Sequence, residues 1–320
     1  MASQGNEQPN LGRIVRIILF VSLAIMLPGV QWSLFGWSHI FLPLLAFYTL
    51  GTYGLYTGKR LLLTAVGLSL IAYLLLRNFE LFVFSTTLLL SGYVLFGSAN
   101  RQDAPALSGL KSSLALAGGW IAIFTMLSLG SEMSAYAQLV RSLDDGIGEA
   151  LDYYRQSNDI SGDTLVMLEA TLLRMRIIIP MIMPSVLGSF ILFITWLTMV
   201  LGNMLLLKTS GNAPWANCRY WKLPEKVVWV AIGAGIFSLL PIEFLRPVAI
   251  NSLILLSIVY CFQGMSIAIF FMHKWNVPLL LRSFFYIMLV FQSFGTLILL
   301  ICGIADIWFD FRKLKQETVN

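Results

Sequence analysis

Charge is scarce in this chain. Asp, Glu, Lys and Arg make up 12% of its 320 residues, about half of the roughly one quarter found in soluble domains. Such a chain cannot cover itself for water. Histidine occurs only at His39 and His273, and cysteine only at Cys218, Cys261 and Cys302. Neither set has the paired spacing of a zinc site, an iron–sulfur site or a disulfide framework. The sequence has no G-x-x-x-x-G-K-[ST] loop, no G-x-S-x-G elbow and no H-E-x-x-H helix. Common P-loop ATP hydrolysis is thereby excluded, and the signatures of α/β-hydrolases and H-E-x-x-H metalloproteases are missing. With no paired nucleophile and base, the chain reads as a non-enzyme and implies no cofactor and no metal. The net charge of +5 is carried mainly by Lys and Arg between apolar runs, which suits membrane anchoring and not nucleic-acid binding.

What the chain does contain is apolar sequence, 58% of all positions. Apolar runs, free of charge except for Arg16 in the first, recur at 14–30, 41–56, 61–76, 177–207, 252–272 and 283–304. A helix needs about 20 apolar residues to cross a bilayer. In lipid the backbone must satisfy its own hydrogen bonds, so these runs are helices. The expected fold is all-α: a polytopic transmembrane bundle of about eight or nine spans with an amphipathic extramembrane helical hairpin. Nine candidates lie at 14–34, 37–57, 61–77, 80–98, 112–131, 177–207, 226–242, 247–272 and 279–305, joined by tight links such as Gly58-Lys59-Arg60. The implied organisation is a polar N-terminal tail (1–13), an N-terminal transmembrane half (14–131), an amphipathic insertion (132–176), a C-terminal transmembrane half (177–305) and a basic tail (306–320).

If the first span starts in the cytoplasm, Arg13, Arg16, Lys59, Arg60, Arg101, Lys111, the 208–226 loop, His273 and Lys274 all fall on the inner side. The insertion, with eight acids and four arginines, falls outside. Nine spans would leave Arg312, Lys313 and Lys315 outside against the same rule. A shallow 61–77 run, or a re-entrant 279–305 hairpin broken near Gly295, restores a cytoplasmic C-terminus.

Within the insertion, Ala137, Val140, Ile147, Leu151 and Tyr154 recur at helical spacing and predict an amphipathic helix. Ser157–Asp163 reads as a turn, and a second helix starting near Asp163 runs into the next span. Pro180 and Pro184 predict a bend or break in that span. Between Lys208 and Lys226, Trp215, Tyr220 and Trp221 beside basic residues read as an interfacial anchor, with docking of a partner as the alternative.

Polar groups at membrane depth must find partners or line a wet cavity. Asn203, Asn251 and Gln263 are therefore the candidate ligand-binding residues, with hydrogen bonding between helices as the competing reading. At the end of the chain Asp306 and Asp310, four apart, predict a shared helix face on which Lys313 pairs with Asp310.

The closing string Gly303, Asp306, Phe309, Asp310, Phe311, Arg312, Lys313 resembles that of the YybS-like family, uncharacterised polytopic membrane proteins of bacteria with a domain of unknown function. Pro184–Gly188, Asn203, Trp221-Lys222-Leu223-Pro224 and Gln263-Gly264 look similar too. The resemblance implies a multi-pass protein of the bacterial cytoplasmic (inner) membrane. Through a distant similarity to S components of energy-coupling-factor transporters, it also implies a compact bundle and a role in transport. It transfers no binding residue, since the family has no agreed ligand. The expectation is a small-molecule transport component without its own ATPase. The alternative is a structural or scaffolding subunit of a cell-envelope membrane complex. Expected partners are the lipid bilayer and other membrane proteins or a second copy, with no nucleic acid and no identified substrate.

Overall fold

In the computed structural model, residues 11–129, 133–156 and 161–314 are described, and among them every regular element is a helix. The tail before Leu11, residues 157–160 of the expected turn and Lys315 lie outside the described residues. The packing divides into two units. The first holds the described residues up to Trp120 together with Phe193–Trp221, and the second holds Ile121–Leu192 with Lys222 onward.

The first unit begins with α1 (Leu11–Val30), a short α2 (Trp32–Phe35), a 3₁₀ turn (Gly36–Phe41) and α3 (Leu42–Leu75). At Gly54 the backbone takes φ 74°, ψ 170°, a conformation essentially restricted to glycine. The chain doubles back there: the Cβ direction of Gly58 points to within 3.0 Å of the Leu50 Cα. In a straight helix residues eight apart would be separated by about 12 Å. The turn expected at 58–60 therefore sits four residues earlier, and Lys59 and Arg60 belong to the helical second arm. Replacing Gly54 by alanine forces a side chain into this backbone at a cost of ~1–3 kcal/mol. A lowered unfolding midpoint in mild detergent is the expected result, and an unchanged midpoint would refute the turn.

Hydrogen bonds set the register of the arms. Ser22, Ile25 and Gly29 meet Ala65, Ser69, Tyr73 and Asn78 in rising order, so α1 runs parallel to the second arm. His39 bonds Ser85 at 2.9 Å, and Gly92 lies against Pro43 and Phe47. The first arm thus runs parallel to α4 (Phe79–Asn100). α5 (Pro105–Ser128) returns antiparallel to α4 through Ser91–Ser112 at 2.7 Å and Ser98–Ser108 at 3.0 Å. Serine hydroxyls at these crossings let the helices approach closely while remaining hydrogen-bonded.

The second unit contains the predicted hairpin. α6 (Ala135–Gln156) and the start of α7 (Gly162–Ser210) are antiparallel, held by Arg155–Glu169 at 2.6 Å, Arg176–Asp144 at 2.8 Å and the Tyr136 hydroxyl on the Pro180 carbonyl at 2.9 Å. Leu151 is buried, and Val140, Ile147 and Tyr154 are half-buried, whereas Asp145, Glu149 and Asp152 are exposed. The prolines do not split the helix in two: α7 continues as one helix through Pro180 and Pro184. Proline 184 leaves the Pro180 carbonyl without its helical donor, and Tyr136 supplies one.

α8 (Val227–Leu239) has 13 residues, about 20 Å, too short to cross alone. α9 (Leu245–Lys274) is followed by α10 (Leu279–Phe291) and α11 (Ser293–Phe309), which meet at 93°. The break falls at Gln292, in extended backbone, three residues before the expected Gly295. By length and composition six helices among the described residues can cross a membrane, or seven if the bent α10–α11 pair is one span. The count of eight or nine is not confirmed: this tally takes 37–57 and 61–77 as one stretch although it folds back at Gly54, and α8 is short.

Candidate functional site

An aspartate in an apolar helix demands a partner, and Asp306 has several. Its side chain is fully buried and bonds the equally buried Arg312 at 2.8 Å. The carboxylate also accepts from Gln263 Nε2 at 2.9 Å and from the Phe311 backbone N–H at 3.0 Å. On the other side of the amide, Gln263 Oε1 accepts the Leu223 N–H at 2.7 Å. One buried network thus joins the loop before α8, the middle of α9, the end of α11 and the C-terminal segment. Gly303 makes it possible: a Cβ there would run into the Tyr260 carbonyl, and one at Gly264 into Leu299 backbone. α9 and α11 therefore cross in backbone contact, antiparallel by these pairings.

Asp310 departs from its expected place. α11 ends at Phe309, and Asp310 adopts a left-handed cap with φ 40°, so Asp306 and Asp310 do not share a helix face. Its ion pair among the described residues is with Lys222, at 3.3 Å, in place of the expected Lys313. Lys313 itself turns back through its N–H to the Asp310 carbonyl at 2.8 Å.

Asn251 acts inside α7. Its Oδ1 accepts the Ser185 N–H at 2.8 Å, and its Nδ2 donates to the Met181 carbonyl at 2.8 Å. These are the two groups that would bond each other in an unbroken helix, so the amide is spliced into the ladder one turn after Pro180. The same Nδ2 also reaches the Pro247 carbonyl at 2.8 Å.

In the first unit, Asn203 clamps Trp215 through both backbone groups, at 3.1 and 3.0 Å. The Trp215 ring stacks on Phe47 with centroids 5.5 Å apart, and its indole N–H donates to the Asp103 carbonyl at 3.2 Å. Asp103 in turn accepts from Lys111 at 2.6 Å and Ser98 at 2.5 Å, bonds that hold its carboxyl below the usual carboxylate range. The Trp-containing loop is thus anchored by a buried indole. Burial also pushes the Cys218 thiol in that loop up, which suits a packing residue more than a nucleophile.

Asn203 belongs to the first unit, and within the second Asn251 and Gln263 lie twelve positions apart on α9. The second unit has a groove of about 320 Å³ lined almost wholly by carbon, including Gly264, Phe271, Trp275, Phe285, Leu289 and Phe311. None of the three amides lines it. No group of His, Cys, Asp and Glu able to hold a metal occurs among the described residues.

This arrangement can be set beside known proteins. A family model described as "Predicted membrane protein (DUF2232)" matches residues 15–307. The chain belongs to this family. No curated protein and no solved structure matches it. The DUF2232 match ends at residue 307 and so includes Gln263, Gly303 and Asp306 but not Asp310, Arg312 or Lys313.

Sequence reasoning missed Arg312 as the partner of Asp306 and Lys222 as that of Asp310. A signal existed for the first: a lone acid within an apolar run requires the nearest guanidinium. Lys222 carried none, being 88 residues from its partner.

Proposed function

We propose that this DUF2232 protein is a non-enzymatic structural component of a membrane assembly in the bacterial cytoplasmic membrane. The observation that carries this reading is the engagement of Asn203, Asn251 and Gln263 by the protein's own backbone and side chains. A carrier of polar solutes needs such groups turned toward a shared cavity; here they join helices and loops. The resemblance of the closing string to YybS-like proteins supports the bacterial location. Transport has weaker support, since it rested on these amides and on a distant likeness of fold.

The contact surface for a partner is the polar face of α6, where Asp145, Glu149 and Asp152 stand exposed on a helix already packed along its other side. Photo-crosslinking residues placed at Asp145 and Glu149 in native membranes are expected to give discrete adducts of one or a few masses. A mass twice that of the chain identifies a second copy as the partner. Absence of adducts at both positions, together with thermal stabilisation of the purified protein by a small polar solute, would overturn this reading in favour of transport.

A further inference from the structure

The groove of the second unit ends in a basic cluster that the structural reading does not use. Phe285 and Leu289 lie three and seven residues after Arg282, on one face of α10, and both line the groove. On α9, Lys274 lies three residues after Phe271 and over its ring at 5.9 Å, next to Trp275. Both helices therefore bring a cation to the same end of one apolar channel. His273 joins them: its Nδ1 is 2.8 Å from the Ile269 carbonyl, which can only accept, so this nitrogen carries the hydrogen. Its Nε2 then accepts from Arg282 Nη1 at 2.7 Å, orienting the guanidinium. Arg282 Nε is buried and has no hydrogen-bond partner among the described residues.

No acidic residue occurs between Glu243 and Asp306, and Asp306 is held by Arg312 and Gln263. No acidic residue lines the groove, and neither Lys274 nor Arg282 is in an ion pair among the described residues. The α9 face from Gly264 to Trp275 spans eleven residues, about 16 Å. The volume lies at the lower end of ligand cavities, roughly 300–1,000 Å³. The geometry points to a binding site for one anionic phospholipid, with its phosphate on Lys274 and Arg282 and an acyl chain in the groove between α9, α10 and α11. Inside a bilayer an apolar groove alone selects little, because lipid tails are as apolar as the groove. Selection comes from the cations, and Trp275 suits the headgroup level where they sit. This inference does not depend on the partner proposed for α6.

The test is native mass spectrometry of the delipidated full chain in neutral detergent, titrated with phosphatidylglycerol, phosphatidylcholine or inorganic phosphate. The expected result is one retained phosphatidylglycerol, bound at least about fivefold more tightly than phosphatidylcholine. The paired variant Lys274→Gln/Arg282→Gln is expected to lose that preference while unfolding at an unchanged temperature without lipid. Ala268→Phe, which fills the groove, is expected to abolish retention of either lipid. Equal binding of the two lipids by the unaltered chain would overturn the proposal. So would inorganic phosphate competing as well as the lipid, which would assign the cations to a free anion, or retention unaffected by Ala268→Phe. If the paired variant unfolds, Arg282→Lys decides: it keeps the charge and must keep the preference.

Discussion

Replacing Asp306 by leucine is expected to destabilise the protein by about 3–5 kcal/mol, the usual consequence of removing one partner of a buried ion pair. The Arg312 guanidinium stays behind, fully buried, while the Phe311 N–H and Gln263 Nε2 lose their acceptor. Denaturation by sodium dodecyl sulfate in mixed micelles, followed by circular dichroism, measures the loss. Asp306→Leu/Arg312→Met should recover most of it, because apolar groups of similar volume replace buried pairs at little cost. A single Asp306→Leu variant as stable as the parent would show that the network contributes nothing. Gln263→Leu should lie between them, near the ~0.6–2 kcal/mol of hydrogen bonds between membrane helices.

The second large effect is steric. Alanine at Gly303 would place a methyl against the Tyr260 carbonyl, and alanine at Gly264 one against Leu299 backbone. Backbone cannot rotate out of the way as a flexible side chain can, so α9 and α11 must separate. Overpacking of this kind costs about 1–3 kcal/mol and occasionally more. Because both glycines serve one crossing, the double variant should cost less than the sum of the singles. Gly235 in α8 provides the contrast, since a Cβ there meets nothing within 4 Å. Gly235→Ala should be neutral or stabilising, by up to about 1 kcal/mol. Equal losses for Gly303→Ala and Gly235→Ala in the same denaturation assay would contradict the crossing.

The α6–α7 hairpin was legible because its signal is local. Apolar residues at three- and four-residue steps specify which face of α6 turns inward, whatever lies opposite. The reversal in α3 was legible in the expected turn at 58–60, but its position at Gly54 was not. Glycine is compatible with helix and with turn, and the neighbouring Lys59-Arg60 drew the turn to themselves. Pro180 and Pro184 announced a bend or break; that the helix nevertheless continues was not legible, because Tyr136 and Asn251, distant in sequence, supply the missing donor and bridge the ladder.

For the candidate site the division is the same. That Asn203, Asn251, Gln263 and Asp306 needed partners followed from their apolar surroundings alone. Which partners they found did not, because Leu223 lies 40 residues from Gln263, Asp306 lies 43 from it, and Ser185 lies 66 from Asn251.

Composition and run length settled by themselves that this is a helical membrane protein, since an uninterrupted apolar run of about 20 residues satisfies its own backbone in lipid as a helix. The sites of the amides and of Asp306 were equally written in the chain. Only the tertiary structure decided that Gln263 closes on Asp306 while Asn203 and Asn251 engage backbone groups, that α9 and α11 touch at Gly264 and Gly303, and that the cations of α9 and α10 meet at one end of a groove. Those outcomes depend on the register between helices, which short-range periodicity does not encode.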